Sequence, residues 1–374
     1  MSHLFTPYTL NNGVEIKNRL VVAPMTHFGS NEDGTLGNQE RTFIQNRAEN
    51  MGMFITAATL VADGGKAFFG QPAAIDESHL AGLAETAQIL KNQGAKAVLQ
   101  IHHGGIHAIK DLNGKDKISA SDHAETGTRS ATMAEIHGLI QAFANATDLA
   151  IRAGFDGVEI HGANGYLIQQ FFSREFNQRT DEWGGSLENR LRFPLAIIDA
   201  VTAVREKHAK PDFIIGYRFS PEEPGENGLT MADTFDLLDA LVEKPLQYLH
   251  VSLWDFYNKA RRGADESKTR IEQIHARIGG KLPLIGVGNL LTGEAIEQAF
   301  ATGFCEFLAL GKAVMLNPNI ATLLQQKRYG EIESEFDPER ADHYGYPDLL
   351  WQYNCDGGNW LPPVKGKPHT PLNV

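Results

Sequence analysis

Eight short, β-branched and apolar runs alternate along this chain with longer segments of helical periodicity, and few folds accept that pattern. The runs are "RLVVAPM" (19–25), "MFITAATLV" (53–61), "AKAVLQIH" (95–102), "DGVEIHG" (156–162), "FIIGYRF" (213–219), "QYLHVSL" (247–253), "LPLIGVG" (282–288) and "FLALG" (307–311). Several are apolar nearly throughout, as parallel strands covered on both faces must be. Between them, the segment 78–94 opens on Ser78 as an N-cap and ends at Gly94. Another begins at Thr132 with Glu135 three residues on, the pattern of a capping box, and closes on Gly154. Eight strands alternating with helices point to a single (β/α)8 barrel. A doubly wound sheet would place a glycine-rich phosphate turn after its first strand, and "APMTHFGS" is no G-x-G-x-x-G.

Residues 1–330 are read as the barrel and 331–374 as a C-terminal extension that packs on it or on a neighbouring subunit of a homo-oligomer. The polar insertions 103–131 and 163–186, after the third and fourth strands, fall where a barrel builds its active site.

The predicted strand ends carry Thr26, Ala58, Gln100, His161 with Asn164 and Tyr166, Arg218, Trp254, Gly288 and Lys312. One cation, several amides and hydroxyls, a phenol and aromatic surface suit a flat ring with polar edges. Two glycine-marked turns follow strands seven and eight, "IGVGNLLTGEA" and "LALGKAVMLNPN". A barrel commonly holds phosphate at these two loops, so a phosphate-bearing cofactor is expected there. The net charge of −12 argues against nucleic acid as partner, because phosphates call for a basic surface. Two cysteines, Cys305 and Cys355, are too few for a disulfide framework or a cysteine-ligated cluster. No run approaches the roughly 18 apolar residues of a membrane helix, and the first residues lack the pattern of a secretory leader. The expected location is the cytoplasm.

Six segments resemble the old yellow enzyme family: "NRLVVAPMT", "VLQIHH", "GFDGVEIHGANGYLIQQFFS…NQRTDEWGGSLENRLRF", "IGYRFSPEE", "GVGN" and "LALGKAVMLNP". The resemblance implies an FMN-dependent ene-reductase on a (β/α)8 barrel, with NADH or NADPH as reductant and an enone, quinone or nitro compound as acceptor. It implies that Pro24, Met25 and Thr26 lie along a non-covalent flavin, with Ala58 lining the same ring. Gln100 meets its pyrimidine edge and Arg218 faces N1 and the C2 oxygen. Gly288, Asn289, Gly311 and Lys312 hold the phosphate. His161 and Asn164 bind the substrate carbonyl, flavin N5 gives hydride to the β-carbon, and Tyr166 protonates the α-carbon. Three departures stand out. "GGIH" occupies a place where the family often has arginine, Lys312 replaces an arginine, and "FFSREFN" differs from "FLSPxxN".

Two other readings compete. His102, His103 and His107 could ligate the metal of a barrel lyase or isomerase, although no carboxylate motif accompanies them and no metal ligand is assigned. A non-catalytic flavoprotein sensor is the other. Phe28, Phe69, Trp254, Phe256 and Tyr257 are expected either in the substrate pocket or in the core.

Overall fold

Each apolar run becomes a parallel strand in the computed structural model, which describes residues 3–370 and 372. The strands are β1 (Leu20–Val22), β2 (Met53–Ile55), β3 (Lys96–His102), β4 (Gly157–Gly162), β5 (Ile214–Phe219), β6 (Tyr248–Val251), β7 (Leu284–Gly286) and β8 (Phe307–Leu310). They pair in the order β2-β1-β8-β7-β6-β5-β4-β3, and β2 also pairs with β3, which closes the ring. The expected (β/α)8 barrel is therefore present.

The helices that follow the strands are α1 (Asn38–Ile44), α2 (Leu80–Asn92), α3 (Met133–Ala153), α4 (Leu187–Lys207), α5 (Met231–Leu241), α6 (Arg270–Ile278), α7 (Gly293–Ala301) and α8 (Ile320–Gln325). The capping box at Thr132 and Glu135 forms as read, and α3 stops at Gly154 with φ 86°. The start of α2 differs from expectation. Asp76, not Ser78, is the cap: its carboxylate accepts from the Ser78 amide at 2.9 Å and opens a short 3-10 turn ahead of the helix. A carboxylate outcompetes a hydroxyl here because the Ser78 hydroxyl itself donates to Asp76.

The run 53–61 also differs, since it splits. β2 ends at Ile55, the Thr56 hydroxyl accepts from the Gln100 amide at 3.1 Å, and the chain rejoins the sheet only at Thr59–Leu60.

Alternation along the strands sorts side chains into two layers. Outward residues such as Leu99, Ile160 and Tyr217 pack under the helices in the large core. Inward residues Val21, Met53, Val98, Ile214, Ile285 and Phe307 fill the lower barrel. Higher in the barrel, the inward positions of β3, β4, β5 and β6 turn polar. This upper layer holds Gln100, His102, Glu159, His161, Arg218 and His250, each 8% exposed or less. Their level is set by register, with Arg218 opposite His161 on one side and His250 on the other.

The extension makes its own small core of Phe336, Tyr344 and Val364 with Leu316. The buried Arg47 guanidinium ties it to α1 by donating to the carbonyls of Phe43 and Tyr344. Among the described residues no helix is long and apolar enough to cross a membrane.

Candidate active site

A cavity of about 530 Å³ opens at the C-terminal ends of the strands. Ten of the thirteen residues singled out from sequence line it: Pro24, Met25, Thr26, Asn164, Tyr166, Arg218, Gly288, Asn289, Gly311 and Lys312. Ala58, Gln100 and His161 do not line it. They lie buried, at 9%, 1% and 3% exposure.

The turn carrying Asn164 and Tyr166 is held from both sides. Asn164 and Gly165 both take left-handed backbone, at φ 58° and 70°. The Gly165 amide donates to Gln169 Oε1 at 2.9 Å, and Gln170 Nε2 donates to the Gly165 carbonyl at 2.6 Å. Gln169 in turn donates to Glu223 at 2.7 Å, while Gln170 Oε1 accepts from the Ser119 hydroxyl at 2.6 Å. Asn164 Oδ1 accepts from the Ser252 hydroxyl at 2.7 Å, and Arg218 donates to that same hydroxyl at 3.1 Å. With its oxygen occupied, the Asn164 amide presents its NH2 as a donor.

His161, His102 and His103 are neutral. The Ala163 amide donates to His161 Nδ1 at 3.3 Å, which assigns the proton to Nε2. Burial, then His102 and Arg218, push His161 well below its ordinary value. His102 Nδ1 lies 3.0 Å from Gln71 Nε2, an amide end fixed as donor because Gln71 Oε1 accepts from Ala67. Burial lowers His102 to about 3 and His103 to about 4. The Tyr166 ring stands edge-on to His102 at 4.4 Å and to His161 at 5.3 Å. Burial raises the phenol, with Arg218 opposing it, so the proton is retained at neutral pH.

Beneath Arg218 lies a carboxylate that the sequence reading passed over. Glu159 is fully buried, accepts from Gln100 Nε2 at 2.7 Å and lies 2.9 Å from His250 Nδ1. Burial raises its pKa, but His250, Arg218 and Gln100 outweigh this, leaving it below its ordinary value. Glu159 therefore stays ionised and offsets the Arg218 charge. The signal was a lone acid in the apolar run "DGVEIHG", two residues before His161 and so on the same face.

At the other end, Gly288 has φ 143°, and a Cβ there would lie 2.3 Å from the Phe256 amide nitrogen. Only glycine fits. Lys312 Nζ is 3.5 Å from Asn289 Oδ1, and burial lowers its pKa.

One expectation and one competing reading need correction. Phe28 and Trp254 line the cavity, together with Phe68 and Trp360, whereas Phe256 is core and Phe69 and Tyr257 face solvent at 55% and 47% exposure. His102 and His103 turn their Nδ1 atoms to Gln71 and the Gly105 amide, and among the described residues no three His, Cys, Asp or Glu converge as a metal site.

A cavity lined by Arg218, by the amides of Asn164 and Asn289 and by a glycine-and-lysine turn defines a cofactor-sized site on a barrel. Residues 3–331 match the sequence model of the NADH:flavin oxidoreductase / NADH oxidase family, and the chain belongs to that family. It is an NAD(P)H-dependent flavin oxidoreductase with FMN as cofactor and the old yellow enzyme fold. A probable NADH-dependent flavin oxidoreductase of Bacillus subtilis is 47% identical over 96% of this chain and 97% of its own length. An NADH:fumarate oxidoreductase of Klebsiella pneumoniae is 36% identical over 94% of this chain, which spans only 39% of that longer protein. Morphinone reductase in complex with tetrahydroNAD superposes with a TM-score of 0.76 at 26% identity, covering 93% of this chain and 96% of that one. The residues present fit FMN, because Arg218 Nε is buried with no partner among the described residues and the Gly288 backbone leaves room for nothing larger than hydrogen.

Proposed function

We propose that the protein is an ene-reductase acting on α,β-unsaturated carbonyls or related acceptors. Pro24, Met25, Thr26, Ala58, Gln100 and Arg218 hold the flavin ring, and Gly288, Asn289, Gly311 and Lys312 hold its phosphate. When bound, FMN reduced by NADH or NADPH supplies the hydride. His161 Nε2–H and the Asn164 NH2 donate to one carbonyl oxygen and draw charge from the β-carbon. Tyr166 delivers its proton to the α-carbon. Charge on Arg218 favours electron density on the pyrimidine side of the ring.

The observation that carries this reading is the convergence of His161, Asn164 and Tyr166. The Tyr166 ring, a protonated phenol, packs edge-on to the neutral His161 ring at 5.3 Å, and Asn164 and Tyr166 line the cavity beside them. The test is anaerobic. NADH and NADPH are each used to bleach the FMN-loaded protein, which is then mixed with enones, quinones and nitro compounds. Reoxidation by an enone with release of the saturated ketone is expected. Protein that cannot be loaded with FMN sinks the reading, and flavin that bleaches but is reoxidised by no acceptor supports the sensor instead.

A further inference from the structure

The C-terminal extension brings an aromatic side chain to the cavity mouth, and nothing in the chemistry described so far uses it. Trp360 lines the cavity beside Phe28 and Phe68. Its ring meets Phe28 at 6.2 Å, and Phe28 also meets Phe68 at 5.9 Å and Tyr353 at 5.2 Å. Phe28 holds a left-handed backbone at φ 59°, which a bulky side chain adopts only where its surroundings enforce it. Gly70 packs against the Phe28 carbonyl, so closely that a Cβ would lie 2.2 Å from its oxygen. Trp360 is fixed in turn by its neighbour Leu361, which is fully buried. The Leu361 amide donates to the Gly358 carbonyl at 3.0 Å. The wall is thus built from two distant parts of one chain.

Among the described residues the aromatic wall carries no charged side chain, and the cations that line the cavity are Arg218 and Lys312, both assigned above to the flavin. A small carboxylate would find no partner on the aromatic side, and a flat aromatic group would find rings on which to pack.

We infer that Trp360, with Phe28, is a specificity-determining residue that selects uncharged acceptors bearing an aromatic ring. This rests on the ene-reductase reading. The extension is then part of the substrate site of its own barrel.

Two enones that differ in one group make the test: benzylideneacetone carries a phenyl where pent-3-en-2-one carries a methyl. The measurement is the ratio of their kcat/KM values with FMN-loaded enzyme. Wild type favours the phenyl compound. Trp360→Ala lowers the ratio by a factor of about ten, mainly through KM, as the loss of one aromatic partner should. Trp360→Phe restores most of it. A ratio unchanged in Trp360→Ala, or a wild type that prefers the methyl compound, overturns the inference. Should Trp360→Ala fail to fold, tryptophan fluorescence decides. The saturated ketone 4-phenylbutan-2-one is expected to quench wild type saturably and to lose that component in Trp360→Phe, and equal quenching in both overturns it. Failure to load FMN, or to bleach it with NADH, would sink the ene-reductase reading itself. Normal bleaching without aromatic preference sinks only this inference.

Discussion

Tyr166 and Glu159 sit on the same strand-and-turn segment and do opposite electrostatic work. The phenol keeps its proton because burial disfavours its anion, while Glu159 loses its proton despite deeper burial because Gln100 and His250 hydrogen-bond the charge. Tyr166→Phe removes the acid and little else. Enone reduction should slow by about 10²–10⁴-fold, with flavin bleaching by NADH unchanged, as stopped-flow absorbance of the two half-reactions will report. Equal loss in both halves would rule Tyr166 out as the proton donor. Glu159→Gln keeps the shape and deletes the charge. Arg218 is then uncompensated, reduced flavin is stabilised, and the potential should rise by about 30 mV, tenfold in the two-electron equilibrium. Spectroelectrochemistry checks this, and an unchanged or lowered potential refutes the offsetting charge. His161, Asn164 and Tyr166 were legible because they end an apolar run on polar side chains. Glu159 was harder to see, since one acid inside a hydrophobic strand reads as an exception until the register shows what it faces.

At the level of elements, the strands declared themselves through composition, and the clamp on the active-site turn did not. Gln169 and Gln170 look like ordinary polar positions on a helical segment. Only the fold brings Gly165, Ser119, Ile106 and Glu223 to them from three separate loops. Gln170→Leu leaves the Gly165 carbonyl, the Ile106 amide and the Ser119 hydroxyl without that partner. A loss of about 2–3 kcal/mol is expected by urea denaturation. Asn164 and Tyr166 should lose alignment as well, with enone turnover falling more than flavin binding. A variant of wild-type stability would show that the clamp carries no weight. The split of the run 53–61 was hidden for a similar reason. Thr56 favours a strand by type, but its hydroxyl is taken by the Gln100 amide from the neighbouring strand. Local preference cannot report a partner more than forty residues away.

For the whole molecule, the polar upper layer of the barrel links stability to pH. His102 and His103 are buried as neutral rings, lowered to about 3 and about 4 from an ordinary 6.5. The unfolded chain takes up protons on these residues below about pH 6.5, whereas the folded chain does so only near pH 3–4. Their neutral burial therefore costs nothing extra above about pH 6.5, and stability drains away as the pH falls from there towards 4. Buried carboxylates act in the same direction where their pKa is lowered, as for Glu159. The midpoint of thermal unfolding should stay level from pH 8 to about 6.5 and then decline steadily. Replacing His103 by Phe, which cannot titrate, should flatten the upper part of that decline, if at some cost in packing near Gly65, whose added Cβ would already touch the His103 ring at 2.3 Å. Scanning calorimetry across the series reads both effects. A wild type equally stable at pH 4.5 and pH 7 would mean that the two imidazoles are charged in the fold, and the neutral-donor assignment of the neighbouring His161 would then fall with them.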